Sequence, residues 1–508
     1  MRTSVSRGAT VSSSAVREVV IIGTGFAGIG MASALKDAGH SDFLMLERAD
    51  ELGGTWRDNV YPGVSPDVPS PLYSFERRPN PRWSRLFAPG QEILGYLRDC
   101  AKEAGLMQHI VFGCEARSMI WDGESSLWVI RHTSGIIHAR NLVLACGRLT
   151  EPRIPDIPGL GSFDGPLVHT AKWDAPELTG RTVALVGTGA SAVQVLPHLA
   201  TRADRVVVFQ RSAPYVLPRN DRELTREERQ ALADPNGATP QPWHDFFEQA
   251  ESVHPQRLGR GTEQHRAAIR HLSSIVLEPE LRRKLTPRYA LGCKRVTFSD
   301  DYLSQFLLPH VELENSALSQ VSGRTLTGAS GHRYLADTIV CATGFETFRP
   351  SYADSVIGAA GRSLAEHWRP GLSTYASTVV SGFPNMYVLD GPHSGLSHNS
   401  AIFMIETQIN YVRQAIEYGI RHDARSLEVA PEAEIAYTAL IEEMAQGSVW
   451  LTPSCRSWYL DEQNHRLSLI WPGTARAFRE LFGSFDPKPF MSGSTRIQEL
   501  PRLASRSR

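Results

Sequence analysis

Two short strings along the 508-residue chain carry the residue types needed to hold a pyrophosphate against backbone. Gly23-Thr24-Gly25-Phe26-Ala27-Gly28 follows the apolar run Val19-Val20-Ile21-Ile22, and Gly187-Thr188-Gly189-Ala190-Ser191-Ala192 follows Val183-Ala184-Leu185-Val186. In such a string the first glycine permits a sharp turn, and the second lets the backbone approach the anion. The small third residue lets helix pack on strand, and the helix offers its unpaired N–H groups and dipole. The strand after each turn separates the two. Phe43-Leu44-Met45-Leu46 ends on Glu47, roughly 20 residues past the first glycines, where a carboxylate binds ribose hydroxyls. Val206-Val207-Val208-Phe209 ends instead in Gln210-Arg211-Ser212. A carboxylate repels a 2'-phosphate, whereas a guanidinium grips it through paired charge-assisted bonds. The first site therefore suits FAD and the second NADPH. A lone Gly-x-Gly-x-x-Gly string can be a chance turn, and Arg211 alone a solvated charge; strand, helix and acid together carry the assignment.

The elements that must position these turns are legible as periodicity. Helices are predicted from the turns to about Leu35 and about Leu199, each after a buried strand. Two further apolar runs, Asn141-Leu142-Val143-Leu144-Ala145-Cys146-Gly147 and Thr338-Ile339-Val340-Cys341-Ala342-Thr343-Gly344-Phe345, end in small residues and mark crossings between domains. The stretch from about Asp221 to Arg282 is charged and lacks strand-like runs, so it reads as a helical insertion. A last long helix is expected from Ala401 to about Tyr418, after the polar cluster His393-Ser394-Gly395-Leu396-Ser397-His398-Asn399-Ser400. The predicted fold is α/β, with two Rossmann-like dinucleotide-binding domains, for FAD and NADPH, and a helical insertion in the NADPH domain. Residues 16–150 and 346–490 would form the FAD domain, 151–220 and 292–345 the NADPH domain, and 221–291 the insertion, with tails at 1–15 and 491–508.

Composition narrows the function classes. A hydrophobic content of 42% allows more than one packed core, and a formal net charge of −1 leaves no electrostatic footprint for nucleic acid or an anionic membrane. No apolar run is long enough to span a bilayer, and a cytoplasmic enzyme acting on a small molecule is expected. The six cysteines are scattered without a Cys-x-x-Cys pair, so they read as buried thiols with neither a metal site nor a redox disulfide.

From about Arg17 to Phe490 the sequence resembles the flavin monooxygenases, and within them the type I Baeyer-Villiger monooxygenases. Phe163-Asp164-Gly165-Pro166-Leu167-Val168-His169-Thr170-Ala171-Lys172-Trp173-Asp174 is similar to the family signature Phe-x-Gly-x-x-x-His-x-x-x-Trp-(Pro/Asp). Trp173 tilts the resemblance toward carbonyl substrates, because the sister nitrogen and sulfur oxygenases usually carry Tyr or Phe there. His169 reads as a linker between domains, not as a base. A second block, Gly53-Gly54-Thr55-Trp56 with Tyr61-Pro62-Gly63-Val64-Ser65-Pro66-Asp67 and Tyr73, implies that Gly54, Thr55, Trp56 and Tyr73 line the FAD. By the same resemblance Asp67 sits near the flavin beside an active-site arginine, although by itself it could be a turn residue after Pro66. The chain departs from many relatives at Arg57-Asp58 and Val64-Ser65-Pro66.

A third block, Gly292-Cys293-Lys294-Arg295, resembles the family's Lys-Arg segment, which implies that Arg295 is catalytic and that Lys294 reaches the 2'-phosphate beside Arg211 and Ser212. The resemblance implies an NADPH-reduced flavin that adds O2 to give a C4a-peroxide, whose attack on a ketone yields an ester or lactone. A fixed cation lowers the cost of the peroxide anion and of the tetrahedral oxyanion. Two alternatives stay open from the residues alone: an N- or S-oxygenase using the same flavin chemistry, and an NADPH–flavin electron-transfer reductase.

Overall fold

The computed structural model describes residues 16–233, 240–252, 262–461 and 463–491. The expected tail 1–15 and residues 492–508 lie outside the described residues, whereas Met491 ends the strand Phe490–Met491.

Two sheets, the first mixed and the second all parallel, carry the two turns. In the first, Val16–Ile22 lies between Phe43–Leu46 and Gly135–Leu144, with Val20 opposite Leu44 and Leu142. Every residue of Phe43–Leu46 is buried, as a parallel strand covered on both faces requires. Antiparallel strands Ala116–Asp122 and Leu127–His132 extend the sheet on one side. Val356–Ile357 and Met386–Val388 return from late in the chain to pair with it, so the sheet is assembled from two separated stretches. The second sheet is all parallel, in the order Val311–Glu314, Arg205–Phe209, Thr182–Val186, Thr338–Cys341, Leu167–His169. The runs at 141–147 and 338–345 are the crossings expected of them. After Leu144 the chain passes to the second sheet at Leu167, and after Cys341 it returns to the first at Val356.

Both helices after the turns run slightly beyond expectation, as Phe26–Asp37 and Ala190–Ala200. The long C-terminal helix is Ala401–Arg421, capped by the Ser400 hydroxyl, which accepts from the Ile402 N–H. It packs on the Phe26–Asp37 helix, so tightly that a Cβ on Gly30 would lie 2.7 Å from Ile409 Cδ1.

The charged stretch after Asp221 holds helices Arg226–Leu232, Gln241–Ser252, Glu263–Ile275 and Pro279–Leu285 among the described residues. It does not belong to one sheet. Leu232, Trp243 and Phe247 bury into the core of the first sheet, whereas Leu272, Val276 and Leu285 bury into that of the second. Sparse apolar residues at helical spacing reveal that a helix is half-buried but not which partner covers it.

The reading of all six cysteines as thiols is corrected. Cys293 and Cys455 form a disulfide, while Cys100, Cys114 and Cys341 are buried thiols and Cys146 is half-buried. The paired residues are 162 positions apart, so no local spacing announces them; the fold brings the Lys294-Arg295 segment against a C-terminal loop. Trp450 reinforces this contact by donating its indole N–H to the Gly292 carbonyl at 3.0 Å. No helix among the described residues is long and apolar enough to cross a membrane, and no cluster there could hold a metal ion.

Candidate cofactor and catalytic site

Gly23 shows why the first turn needs its glycines. Its φ is +104°, and a Cβ there would lie 2.5 Å from the Ala145 carbonyl oxygen. A Cβ on Gly28 would lie 2.0 Å from the Gly23 carbonyl oxygen, so helix and strand touch at that point. Gly25 faces Gly54, which has a φ of +51° and begins the short helix Thr55–Asp58. Thr55 is exposed at its start and Trp56 is buried. Trp56 and Phe26 each meet the Tyr73 ring edge-on, at 5.1 and 5.3 Å between centroids. Burial pushes the Tyr73 phenol well above its ordinary pKa, reinforced by the Asp67 charge. The bare glycine faces and the aromatic wall fit FAD.

Glu47 stands at the end of its strand as expected, but its carboxylate is already engaged. Oε2 accepts from the Thr24 N–H and hydroxyl at 3.0 and 2.7 Å, and Oε1 accepts from the Ala49 N–H at 3.0 Å. Oε1 also takes the Arg57 guanidinium at 2.9 Å. A carboxylate offers about four lone-pair sites, so a ribose hydroxyl must share or displace one of these donors. Arg57 belongs to one of the two stretches at which the sequence departs from many members of the family it resembles, and its guanidinium is also held by the Asp58 carboxylate and the Glu51 carbonyl.

The second turn is likewise built. Gly187 has a φ of +118°, and a Cβ on it would meet the Ala342 carbonyl oxygen at 2.4 Å, whereas a Cβ on Gly189 meets nothing within 4 Å. Ala190 and Ser191 open the helix, and the Thr188 hydroxyl holds the Ser212 carbonyl at 2.8 Å. Lys294 donates to the Ser212 hydroxyl at 2.6 Å and lies 4.8 Å from the Tyr289 ring centroid. Burial and then repulsion by Arg211 lower the Lys294 pKa. Two cations that repel each other beside an open phosphate turn fit the extra phosphate of NADPH.

Between the sheets, Asp67 and Arg295 form a two-pronged ion pair. Nη2 lies 2.6 Å from Oδ1, and Nε donates to Oδ2. The third guanidinium nitrogen donates to the Leu396 carbonyl at 2.9 Å, so the polar loop before the long helix reaches the arginine through its backbone. Burial pulls the Arg295 pKa down, but Asp67 and then the Tyr459 hydroxyl outweigh it and hold it above its ordinary value. The side chains nevertheless keep 29% and 24% of their surface open, so the pair is reachable from outside the packed core.

His169 occupies the edge strand of the second sheet. Its Nδ1 accepts from the Ala171 N–H at 3.1 Å, and its ring meets Phe345 edge-on at 6.1 Å. Burial lowers its pKa, offset in part by a hydrogen bond with the Gly344 backbone. These contacts tie the signature segment to the return crossing and fit the linker reading. Several neighbours of the site were not legible. Tyr459, Gln194 and Arg219 lack a local motif, and Arg148 and Asp390 form a 2.8 Å ion pair beside Gly147 and Gly391. The positive φ of Asp390, +55°, marks the sharp turn after Met386–Val388, and Asp390-Gly391 is the one signal that could have flagged it.

Comparison with known proteins is consistent over nearly the whole chain. Residues 20–225 match the family model described as pyridine nucleotide-disulphide oxidoreductase. A cyclohexanone monooxygenase from Rhodococcus sp. Phi1, solved bound to NADP+, superposes with a TM-score of 0.81 at 26% identity, covering 92% of this chain and 96% of that one. A steroid monooxygenase bound to NADP superposes with a TM-score of 0.81 at 27% identity, covering 94% and 99%. A Baeyer-Villiger monooxygenase of Pseudomonas aeruginosa is 35% identical over 496 residues, 96% of this chain and 93% of that one. Another, of Streptomyces coelicolor, is 41% identical over 470 residues, 91% of this chain and 90% of that one. With such identity across almost the full length of both chains, the protein belongs to the Baeyer-Villiger monooxygenase family.

Proposed function

We infer that the protein is an FAD-containing, NADPH-dependent monooxygenase that inserts one oxygen atom from O2 beside a ketone carbonyl to give an ester or lactone. The observation that carries the reading is the Arg295–Asp67 pair, a partly open guanidinium held fixed by a carboxylate and a backbone carbonyl. Bound FAD supplies the activation of O2, and NADPH supplies the reducing hydride. The chain's own residues do the rest. Gly23, Gly25, Gly28, Glu47, Gly54, Thr55, Trp56 and Tyr73 would hold FAD. Gly187, Thr188, Gly189, Ala190, Ser191, Arg211, Ser212 and Lys294 would hold NADPH. Arg295 stays charged and is aimed by a carboxylate and a carbonyl, so it stabilises negative charge developing on oxygen as the carbonyl carbon is attacked. Asp67 orients that guanidinium and is best described as its positioning partner. The consumption of NADPH fits the cytoplasmic setting expected from the sequence.

The test is product identification by mass with purified enzyme, NADPH and O2 over cyclic, linear and aryl ketones, with an aryl sulfide alongside. Ester or lactone in proportion to NADPH consumed is expected. Sulfoxide without ester from any ketone would reassign the enzyme to heteroatom oxygenation, and NADPH oxidation without an oxygenated product would leave only the reductase reading.

A further inference from the structure

Arg219 follows the strand Val216–Leu217, which pairs with Thr297–Phe298 apart from the five-stranded nucleotide-binding sheet, and from there the chain crosses to the flavin side. The crossing is stitched to residues 84–87. Leu86 donates its N–H to the Arg222 carbonyl at 2.8 Å, Arg85 and Glu223 form an isolated bridge, and Arg85 Nε pairs with Asp221 Oδ2 at 2.8 Å. This strap places the Arg219 guanidinium 4.7 Å from the Phe87 ring centroid and over the loop that ends in Asp67. From there Nη2 donates to the Ser65 hydroxyl at 2.6 Å and to the Pro66 carbonyl at 2.8 Å. The Arg219 N–H is itself anchored on Asp300 Oδ1 at 2.8 Å.

Gln194, on the helix after the second turn, holds the same loop. Its Nε2 donates to the Ser65 carbonyl at 2.9 Å, while the Tyr61 hydroxyl donates to its Oε1 at 2.7 Å. The helix runs so close that a Cβ on Gly63 would lie 2.6 Å from the Gln194 carbonyl oxygen. The two residues ahead of Asp67 are thus gripped from the nucleotide side, and Asp67 in turn grips Arg295. A guanidinium can hold two acceptors while its face lies on an aromatic ring, a combination unavailable to lysine.

We propose that Arg219 is a positioning residue for oxygenation: it holds residues 64–67 so that Asp67 presents its carboxylate to Arg295 while the nucleotide-binding sheet sits against the flavin-binding sheet. Reduction of the flavin needs no such aim, whereas delivery of oxygen to a carbonyl does. The consequence for oxygenation rests on the ketone-oxygenating reading above; the mechanical role does not. A staple that merely holds the fold would lower stability without separating the two half-reactions.

The experiment uses FAD-loaded full-length enzyme and compares wild type with Arg219→Ala, Arg219→Lys and the control Arg222→Ala, which removes a half-exposed ion pair with Glu228 on the same strap. Hydrogen exchange of peptides covering residues 61–70 is measured first. At least a several-fold acceleration is expected in Arg219→Ala, less in Arg219→Lys and none in Arg222→Ala; unchanged exchange in Arg219→Ala overturns the proposal. Ester formed per NADPH consumed is then measured with the ketone that wild type converts best among cyclic, linear and aryl ketones. Arg219→Ala is expected to lose ester yield at least about 10-fold more than it loses anaerobic flavin reduction, with hydrogen peroxide making up the difference and Arg219→Lys recovering part of it. An equal loss in both half-reactions overturns the positioning role. Wild type that forms no ester from any ketone refutes the proposed function instead, and the exchange result still decides whether Arg219 holds the loop.

Discussion

Asp67 and Arg295 lie 228 residues apart in sequence, yet the carboxylate meets the Nε–Nη2 side of the guanidinium, with Nη2 2.6 Å from Oδ1 and the remaining nitrogen on the Leu396 carbonyl. All three nitrogens of the arginine are committed, so its charge is fixed in place. Replacing it with alanine is expected to cost on the order of 100-fold or more in ester formation. NADPH oxidation should continue at a lower rate and release hydrogen peroxide. Arg295→Lys keeps the charge but loses the fork, and should recover only part of the loss. Asp67→Ala should cost less than Arg295→Ala. Product analysis alongside NADPH consumption checks the order; ester formation by Arg295→Ala at the wild-type rate would refute the assignment.

Lys294 and Arg211 should set the preference for NADPH over NADH. A phosphate placed between them relieves the Arg211 repulsion that adds to burial in lowering the Lys294 pKa, and gains charge-assisted bonds from Lys294, Arg211 and Ser212. Lys294→Ala and Arg211→Ala are each expected to raise KM for NADPH by about 10-fold, corresponding to about 1.4 kcal/mol per charged contact, and to leave NADH kinetics nearly unchanged. Equal loss with both cofactors would show that these residues act on the fold or on the shared part of the dinucleotide.

Glu406 gives the stability a pH dependence of definite sign. Its carboxylate accepts from the Glu76 N–H at 3.0 Å. Burial, and then the charge of Glu76, push its pKa up to about 8, against the pull of Arg479. Between the ordinary carboxylate value and about 8 the folded protein holds a proton that the unfolded chain has released, so stability falls as pH rises through that window. Glu406→Gln should therefore raise Tm more at pH 8 than at pH 5. Thermal unfolding of both proteins at the two pH values checks this, and an equal shift at both would contradict it.

The Cys293–Cys455 disulfide closes a loop spanning 162 positions and fixes the segment that carries Lys294 and Arg295. Removing it with Cys293→Ser/Cys455→Ser is expected to lower stability by about 2–4 kcal/mol. Because Tyr459, four residues after Cys455, contributes to holding Arg295, the ester yield per NADPH should fall as well. Denaturant unfolding and product yield, measured with and without dithiothreitol, check both effects. Wild type that is indifferent to reduction, with a confirmed free thiol count, would show that the bond is dispensable.

What the residues determined by themselves was local. The two glycine turns, the strands leading into them and the helices leaving them are encoded within windows of about 20 residues, where side-chain alternation, small residues and a terminal acid or arginine act on their own backbone. The strand Phe43–Leu46 and the start of the helix at Ala401 were read at their observed positions for this reason. Arg295 and Asp67 emerged only through resemblance, since a Lys-Arg pair and an aspartate after proline are ordinary surface features in isolation. The pairing of Cys293 with Cys455, the division of the 221–291 helices between two cores and the reach of Arg219 onto Ser65 and Pro66 had no sequence signal. Each depends on how the two sheets and their connections pack together, and a periodic pattern specifies that a face is buried without specifying what buries it.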